Sequence, residues 1–196
     1  MGKKELQEER MKGFFISATK EIIKGEGIRA LSVRNIADRA GYSYATLYNY
    51  FKDMKDLIFI CIKDFQEECR LYIESEVKNF SKGKDKLKAK TKAFMKYFVQ
   101  YPGIFELFYI ERFNDIANKT TSIEMICTFL DCLTDDDWNY CVSTKMLSTE
   151  NAGNLKEELR FVTAGMLLFY LNRRFPASYK DFINMTDAKL NSILNF

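Results

Sequence analysis

Residues 31–57 read LSVRNIADRAGYSYATLYNYFKDMKDL, and this stretch decides the fold of the N-terminal part of the chain. Ser32 precedes the first apolar residue of a helical pattern, so its hydroxyl is suited to cap a first short helix. Gly41 adopts a left-handed conformation at little steric cost and is suited to end that helix. Ser43 then caps a second short helix. The stretch therefore predicts two short helices joined by a tight turn, a helix-turn-helix.

The second short helix has an unusual outer face, because it carries aromatic, hydroxyl and amide groups where an ordinary solvated surface carries charges. Its members are Tyr44, Ala45, Thr46, Tyr48, Asn49 and Tyr50. The second helix of such a motif can enter the major groove of DNA, where these groups suit phosphate and base contacts. The alternative is a plain helical hairpin inside a helical protein, and the composition of this helix favours DNA binding.

The run IADRAGYSYATLYNYF, residues 36–51, resembles the signature of the TetR family of bacterial transcriptional regulators. That signature typically reads I-A-x-x-A-G-V-S-x-G-T-L-Y-x-Y-F, and the agreement has no gap. Tyr42 stands where valine is usual, and Ala45 stands where glycine is usual. Met54 occupies the position at which the family often has a phosphate-binding lysine, so we expect a flanking lysine to take over that contact.

The resemblance implies a dimeric repressor that binds a palindromic double-stranded DNA operator. Arg34 is expected to reach a base edge, where bidentate pairing with guanine discriminates by ~1–3 kcal/mol. Tyr44 and Ala45 occupy base-reading positions, and Tyr48 is expected to contact a base or the sugar-phosphate wall. The expected phosphate contacts are Ser32, Thr46, Tyr50 and Lys55.

Composition and charge agree with a folded chain whose N-terminal end faces nucleic acid. The 196 residues are 47% hydrophobic, which suffices for one or two helical domains with a core. The net charge is only +3, but residues 1–55 hold eleven basic and seven acidic side chains, a larger excess than that of the whole chain. No segment alternates in the manner of a β-strand, so the predicted fold class is all-α.

Asp53 is suited to cap a long helix that starts directly after the helix-turn-helix and runs to about Phe80. We therefore predict two domains, a helix-turn-helix DNA-binding domain at 1–53 and a larger helical ligand-sensing and dimerisation domain at 54–196. The long helix is the natural mechanical connection, and ligand binding is expected to bias its tilt. A passive core helix is the alternative.

Further along the chain, breaks in the apolar pattern predict where other helices start and end. Alternating lysines in 82–92 predict a solvated helix face rather than a nucleic-acid patch. Thr121 opens a capping box, and Asp135–Asp137 predict an acidic turn between two helices. Ser148–Gly153 predict a loop before the next helix.

Aromatic residues in the middle of the chain predict an apolar cavity for a small apolar or aromatic ligand. They are Phe94, Phe98, Tyr101, Phe105, Phe108, Tyr109, Phe113 and Trp138. Core packing is the alternative for each of them singly. An inward Glu106 or Glu111 would favour a cationic aromatic ligand, because an unpaired buried carboxylate is costly. The resemblance agrees, since TetR-type proteins commonly bind a small inducer in this region.

The last two helical segments predict a homodimer, because the first of them is apolar on nearly every side and must be covered on every side. A four-helix interface between two subunits meets that need, and TetR-type proteins dimerise in this manner. A core helix buried within one subunit is the alternative. The candidate interface residues are Phe161, Gly165, Leu168, Phe169, Phe182, Leu190 and Leu194.

Catalytic and metal-binding patterns are missing from the sequence. It contains no histidine, no Gly-rich phosphate loop and no CxxC pair among its five cysteines, so we expect no enzyme, no metal site and no cofactor. No signal region or apolar run long enough to span a membrane occurs, which predicts a cytoplasmic protein. Two rivals remain open: a helical small-molecule carrier or interaction protein with a non-functional helix-turn-helix, and an unrecognised enzyme acting within the aromatic cavity.

Overall fold

A computed structural model describes residues 2–111 and 124–196. Within these ranges the chain is helical and has no β-strand, so the predicted all-α class is confirmed. Phe113 and the capping box predicted at Thr121 lie outside the described residues. The helices are α1 (Lys3–Glu26), α2 (Val33–Ala40), α3 (Tyr44–Tyr48), α4 (Met54–Glu76), α5 (Lys84–Gln100), α6 (Pro102–Phe105), α7 (Phe129–Ser143), α8 (Thr149–Leu171) and α9 (Tyr179–Ile193). A 3₁₀ turn, Ile28–Ala30, precedes α2, and a π turn, Glu106–Ile110, continues α6.

The chain divides into two compact units. Unit 1 comprises Met1–Glu67 and Tyr101–Ile126, and unit 2 comprises Glu68–Gln100 and Cys127–Phe196. Helix α4 therefore supplies its first residues to unit 1 and its last residues to unit 2. This division follows packing, whereas the boundary between positions 53 and 54 concerns function and stays a prediction.

The helix-turn-helix forms at the residues that the sequence predicts. The Ser32 hydroxyl accepts from the Asn35 amide at 3.1 Å, which caps α2. Gly41 ends α2 in the left-handed region, with φ 77° and ψ 26°. The Ser43 hydroxyl accepts from the Thr46 amide at 3.2 Å and caps α3. These three local signals are confirmed.

The start of α4 is confirmed in the same way. The carboxylate of Asp53 accepts from the amides of Lys55 at 2.8 Å and Asp56 at 3.0 Å. Two otherwise unpaired amides at the positive end of the helix are thereby satisfied.

The core of unit 1 is built on the inner face of α1. Phe15 is fully buried, and its ring lies 6.3 Å from the ring of Phe51, edge to face. Ile22 and Ile23 extend the buried face towards the end of the helix. Burial of each such side chain contributes about 1.5–3 kcal/mol. The two short helices are therefore held by apolar contacts on their inner sides, which leaves their outer sides free.

Within unit 1, the backbone of α6 packs directly against the backbone at the end of α1. A Cβ atom placed on Gly103 would lie 1.9 Å from the carbonyl oxygen of Ile23, so only glycine fits here. The Lys24 ammonium lies 5.0 Å from the ring centre of Tyr101, the residue before α6. The close approach joins α6 to the end of α1.

In unit 2, helices α7 and α8 run antiparallel and are joined by ion pairs. Lys156 lies 2.5 Å from Asp135, and one turn away Arg160 pairs with Asp131. The single tryptophan, Trp138, is buried on α7, with its ring centre 6.2 Å from that of Phe196.

Two predicted interruptions in unit 2 are wrong. Asp135–Asp137 lie inside α7, because Asp137 is buried and has partners there: its carboxylate accepts from the Gly83 amide at 3.1 Å and lies 2.6 Å from the Lys90 ammonium. Ser148–Gly153 also form no loop. Ser148 caps α8 by accepting from the backbone amide of Asn151 at 3.1 Å, so the helix begins at Thr149, more than one turn earlier than predicted.

The lysines of α5 do not form the purely solvated face that their spacing predicts. Besides its pairing with Asp137, Lys90 donates to the Leu133 carbonyl at 2.7 Å. Lys92 lies 2.8 Å from Asp187 on α9, and Lys88 lies 3.7 Å from the same carboxylate. The face instead joins α5 to its neighbours in unit 2.

The predicted dimer residues separate into two groups. Phe182, Leu190 and Leu194 are buried within unit 2 itself. These three predictions are wrong, because a side chain without accessible surface has nothing to offer a second subunit. Phe161 on α8 is 63% exposed, and Leu168 and Phe169 are also exposed. Gly165 lies between them on the same helix, and a Cβ there would meet no atom within 4 Å.

Candidate nucleic-acid interface

The outer sides of α2 and α3 present the base-reading side chains that the sequence predicts. The Arg34 side chain is 89% exposed, and Tyr44 and Tyr48 are 65% and 53% exposed. Ala45, between the two tyrosines, is also exposed. Exposed large aromatic side chains that are grouped on one surface are typical of a binding surface.

A groove between α2 and α3, which we call the reading groove, brings part of this set together. Its lining consists of Val33, Arg34, Ala37, Asp38, Tyr42, Ser43, Tyr44 and Tyr48. Arg34 Nε lies 3.9 Å from Asp38 Oδ2, a loose pair between two well-exposed groups. Such a pair contributes little, so the guanidinium can leave it for another acceptor.

The predicted phosphate contacts lie outside the lining of the reading groove and are only partly exposed. The hydroxyl of Thr46 lies 2.9 Å from that of Ser43, and the Ser32 hydroxyl is engaged with the Asn35 amide. The Tyr50 ring lies 6.3 Å from that of Phe15. All four predicted positions, Ser32, Thr46, Tyr50 and Lys55, are half-buried.

Tyr42 lines the reading groove, although in the sequence it stands out only as a departure from the family signature. Its ring lies 5.8 Å from that of Phe14 and 5.7 Å from that of Phe15, both on α1. The signal in the sequence for this contact is an aromatic residue directly after Gly41. Tyr42 closes the α1 side of the reading groove.

Arg39 has a structural role that sequence position alone does not reveal. Its guanidinium pairs with Glu26 at 2.5 Å and lies 3.8 Å from Glu21, both on α1. These pairs tie α2 to α1 on the side away from the lining of the reading groove. Arg34 and Arg39 therefore differ in their surroundings, although both belong to the same short helix.

Comparison with known proteins identifies this region. Residues 15–59 match the family described as "Bacterial regulatory proteins, tetR family". Residues 15–59 are a TetR-family region. The matched residues run from Phe15 through the helix-turn-helix into α4. The family is one of regulatory proteins rather than of enzymes. No curated protein matches the chain by sequence.

Solved structures extend the likeness to the fold of the whole chain, which is that of TetR-family transcription regulators. The transcriptional regulator FadR from Bacillus subtilis, in complex with stearoyl-CoA, has a TM-score of 0.73 at 16% identity, over 93% of this chain and 97% of that one. A putative tetR-family regulator from Shewanella sp. PV-4 has a TM-score of 0.68 at 11% identity, over 92% and 95%. RolR, in complex with resorcinol, has a TM-score of 0.71 at 12% identity, over 97% and 88%.

The aromatic residues predicted to hold a ligand in this TetR-like fold fall into both units. Phe94, Phe98 and Trp138 belong to unit 2, and Phe94 and Phe98 pack edge to face at 4.8 Å. Tyr101, Phe105, Phe108 and Tyr109 belong to unit 1, where the rings of Phe105 and Tyr109 lie 5.0 Å apart. The ligand assignment stays a prediction, and core packing is evident for each buried member.

The two glutamates of this region differ in their surroundings. Glu111 is exposed, so the condition for its selecting a cationic ligand is not met. Glu106 is half-buried beside the turn at Gly27, where a Cβ would lie 3.2 Å from its carboxylate oxygen.

In residues 2–111 and 124–196, no group of three or more ligating side chains could hold a metal ion. None of the helices described there combines the length and the apolar character needed to cross a bilayer.

Proposed function

We propose that this protein is a TetR-type transcriptional repressor that binds a palindromic operator as a homodimer and responds to a small apolar or aromatic ligand. The observation that carries the proposal is the exposure of Arg34, Tyr44 and Tyr48 on two short capped helices whose inner sides are buried. A regulator of this kind acts in the cytoplasm, where the DNA of a bacterium lies.

In this proposal, α3 enters the major groove and α2 lies against its edge. Arg34 exchanges Asp38 for a guanine edge, and the Ala45 methyl group contacts a thymine methyl. Tyr44 and Tyr48 contribute a hydroxyl and an apolar ring each. Ser32, Thr46, Tyr50 and Lys55 contact phosphates and set the register without reading sequence.

The exposed residues of α8 support the dimer. Phe161, Gly165, Leu168 and Phe169 follow helical spacing and lie on one face, which leaves a large apolar patch uncovered in one subunit. A second copy covers the same patch on both subunits in an isologous interface. Phe161→Glu combined with Phe169→Glu should therefore yield a folded monomer in sedimentation velocity, whereas Lys180→Glu on α9 should stay dimeric. A double variant that remains dimeric would remove α8 from the interface.

The ligand response rests on the aromatic residues and on two of the similar structures, which contain stearoyl-CoA and resorcinol. Within unit 1, the segment that carries Phe105 and Tyr109 also carries Gly103, which meets the Ile23 carbonyl at the end of α1. A ligand that displaces this segment shifts α1, on which α2 packs. This route supplements the tilt of α4 and needs a ligand that prefers one of two states.

The test is the selection of bound duplexes from a random DNA pool, made with the wild-type chain, Arg34→Ala and Tyr44→Ala. Arg29→Ala, an exposed arginine of unit 1 outside the reading groove, is the matched control. We expect a palindrome with the wild type and the control. Both groove variants should relax the preferences at particular positions, by about 1–3 kcal/mol per base pair for Arg34→Ala.

The outcomes separate this proposal from that of a helical carrier with an idle helix-turn-helix. A folded, dimeric wild type that enriches no duplex at low salt, after any bound compound has been stripped, would end the DNA-binding proposal. Enrichment that is unaffected by Arg34→Ala and Tyr44→Ala would move the reading surface elsewhere.

A further inference from the structure

The first turns of α1 extend as an exposed helix. Residues 2–10 are all exposed, and the first buried residue of this helix is Phe15. A shallow groove runs along one side of these turns, which we call the α1 face. It is lined by Lys3, Leu6, Gln7, Arg10, Met11 and Phe14. Their spacing of three, four and seven residues places them on one side of a helix.

Charge is segregated around this part of α1. The acidic residues Glu5, Glu8 and Glu9 fall on the side opposite the α1 face, as the helical period requires. There the Lys12 ammonium lies 2.9 Å from Glu8 and holds the pKa of that carboxyl below its ordinary value by donating to it. Among the residues that the structure describes, no carboxylate lies within ion-pair distance of Lys3 or Arg10. The α1 face is therefore cationic, and its opposite side keeps an acidic excess.

The α1 face and the reading groove meet at one aromatic contact. Phe14 closes the α1 face, and its ring lies 5.8 Å from the ring of Tyr42, which lines the reading groove. Phe14 is nearly half exposed and Tyr42 is partly exposed, so the contact lies at the surface. A ligand that fills the reading groove therefore borders a second, cationic surface on α1.

We propose that the α1 face is an accessory DNA-binding surface, in which Lys3 and Arg10 bind phosphates beyond the bases read by α3. This inference rests on the proposed function and adds contacts to it. Seven residues of helix separate the two cations, about 10 Å along the axis at 1.5 Å per residue, so they reach different phosphates. Leu6 and Phe14 supply apolar surface against the sugars between them.

Such contacts predict a particular experimental signature. Phosphate contacts carry no sequence information, so their loss weakens binding to all duplexes alike. Each phosphate neutralised adds about 0.9 to the slope of log K against log salt. The pair Lys3→Gln with Arg10→Gln should therefore lower that slope by about 2. It should weaken binding by roughly 10- to 60-fold at 0.1 M salt, because each contact contributes up to about 0.9 of a log unit there.

The experiment compares this double variant with Lys4→Gln combined with Lys12→Gln, which removes the same charge from outside the α1 face. The affinity for the palindrome selected by the wild type is measured at several salt concentrations between about 0.05 and about 0.3 M, so that the slope can be determined. Hydroxyl-radical footprints are recorded for each protein. Only the Lys3/Arg10 variant should lose affinity, slope and flanking protection, while the base preferences of the selected site stay those of the wild type.

Each contrary outcome has its own meaning. If both double variants lose the same affinity and slope, the effect is general charge and the α1 face has no special role. If neither changes, the α1 face does not touch DNA. Loss of binding to phosphatidylserine vesicles with unchanged DNA affinity would reassign the α1 face to a membrane surface and overturn the inference. A wild type that selects no duplex at all would instead refute the proposed function, and the inference with it.

Discussion

The aromatic residues of α3 and those of α5 are similar in size and opposite in surroundings. Tyr44 and Tyr48 stand largely in water on a helix of five residues, whereas Phe94 and Phe98 are buried on a helix of seventeen. Burial stabilises a fold by removing apolar surface from water. The α5 rings therefore contribute to stability, and the α3 rings do not. Side chains that add nothing to stability point to contact with something outside the chain.

The largest expected effect comes from exchanging one ring of each kind for alanine. Phe98→Ala should destabilise the fold by about 3–5 kcal/mol, because it leaves a cavity in a fully buried cluster. Tyr44→Ala should change stability by no more than about 0.5 kcal/mol. Urea unfolding of both variants measures the difference. Equal losses in the two variants would break the comparison between the helices.

A second test asks whether tight packing extends to α6, the helix that carries Phe105. Gly103→Ala places a methyl group 1.9 Å from the Ile23 carbonyl oxygen, so backbone must move, and overpacking of this kind costs about 1–3 kcal/mol. Gly153→Ala on α8 is the control, because its methyl group meets nothing within 4 Å and should stabilise the helix by up to about 1 kcal/mol. Thermal unfolding of both should show opposite signs. A neutral Gly103→Ala would mean that α6 does not rest on α1.

A third test concerns what holds the exposed rings of α3 in place. Ser43→Ala removes the cap of α3 and should cost about 1 kcal/mol of stability. Ser178→Ala removes the equivalent cap of α9 and should cost a similar amount. Only Ser43→Ala should also weaken binding to the selected duplex, since it alone loosens the reading surface. Equal DNA affinity in the two variants would indicate that α3 keeps its shape without the cap.

The smallest expected effect lies on the charged side of α5. Asp187 accepts a hydrogen bond from Lys92, and this bond, aided by the Lys88 charge, lowers the pKa of its carboxyl from the ordinary 3.8. A lowered pKa in the folded state adds stability above the unfolded pKa, and that stability is lost as pH falls through the folded pKa. Because the carboxylate is partly exposed, Asp187→Asn should cost only about 0.2–1 kcal/mol at pH 7 and almost nothing at the acid end. Urea unfolding of the wild type and Asp187→Asn, at pH 7 and at a pH below the folded pKa of Asp187, checks that the loss of stability is confined to the higher pH.

What the sequence predicts correctly is mostly local. The caps at Ser32, Ser43 and Asp53 involve hydrogen bonds within three residues, so the side chain and its partner are read from the same short stretch. The end of α2 at Gly41 is of the same kind, since its cause lies in the backbone freedom of one residue. The base-reading roles of Arg34 and Tyr44 come from the family resemblance and stay predictions.

What the sequence predicts wrongly depends on partners far along the chain. Asp137 looks like a turn residue until its partners Lys90 and Gly83 are known, and both lie about fifty residues away. Phe182 is a second case on a shorter scale, since its ring stacks at 4.3 Å on that of Tyr170, which belongs to the preceding helix. Periodicity tells which side of a helix is apolar, but it does not tell what covers that side.

The position of the one tryptophan has a spectroscopic consequence. Trp138 is buried in unit 2, while the aromatic side chains offered to DNA in unit 1 are tyrosines and phenylalanines. Selectively excited indole emission therefore reports on the interior of unit 2 without a background from the reading surface. An emission change on adding a small molecule would show that the surroundings of Trp138 in unit 2 have changed. An emission change on adding DNA alone would show that binding at unit 1 alters the interior of unit 2.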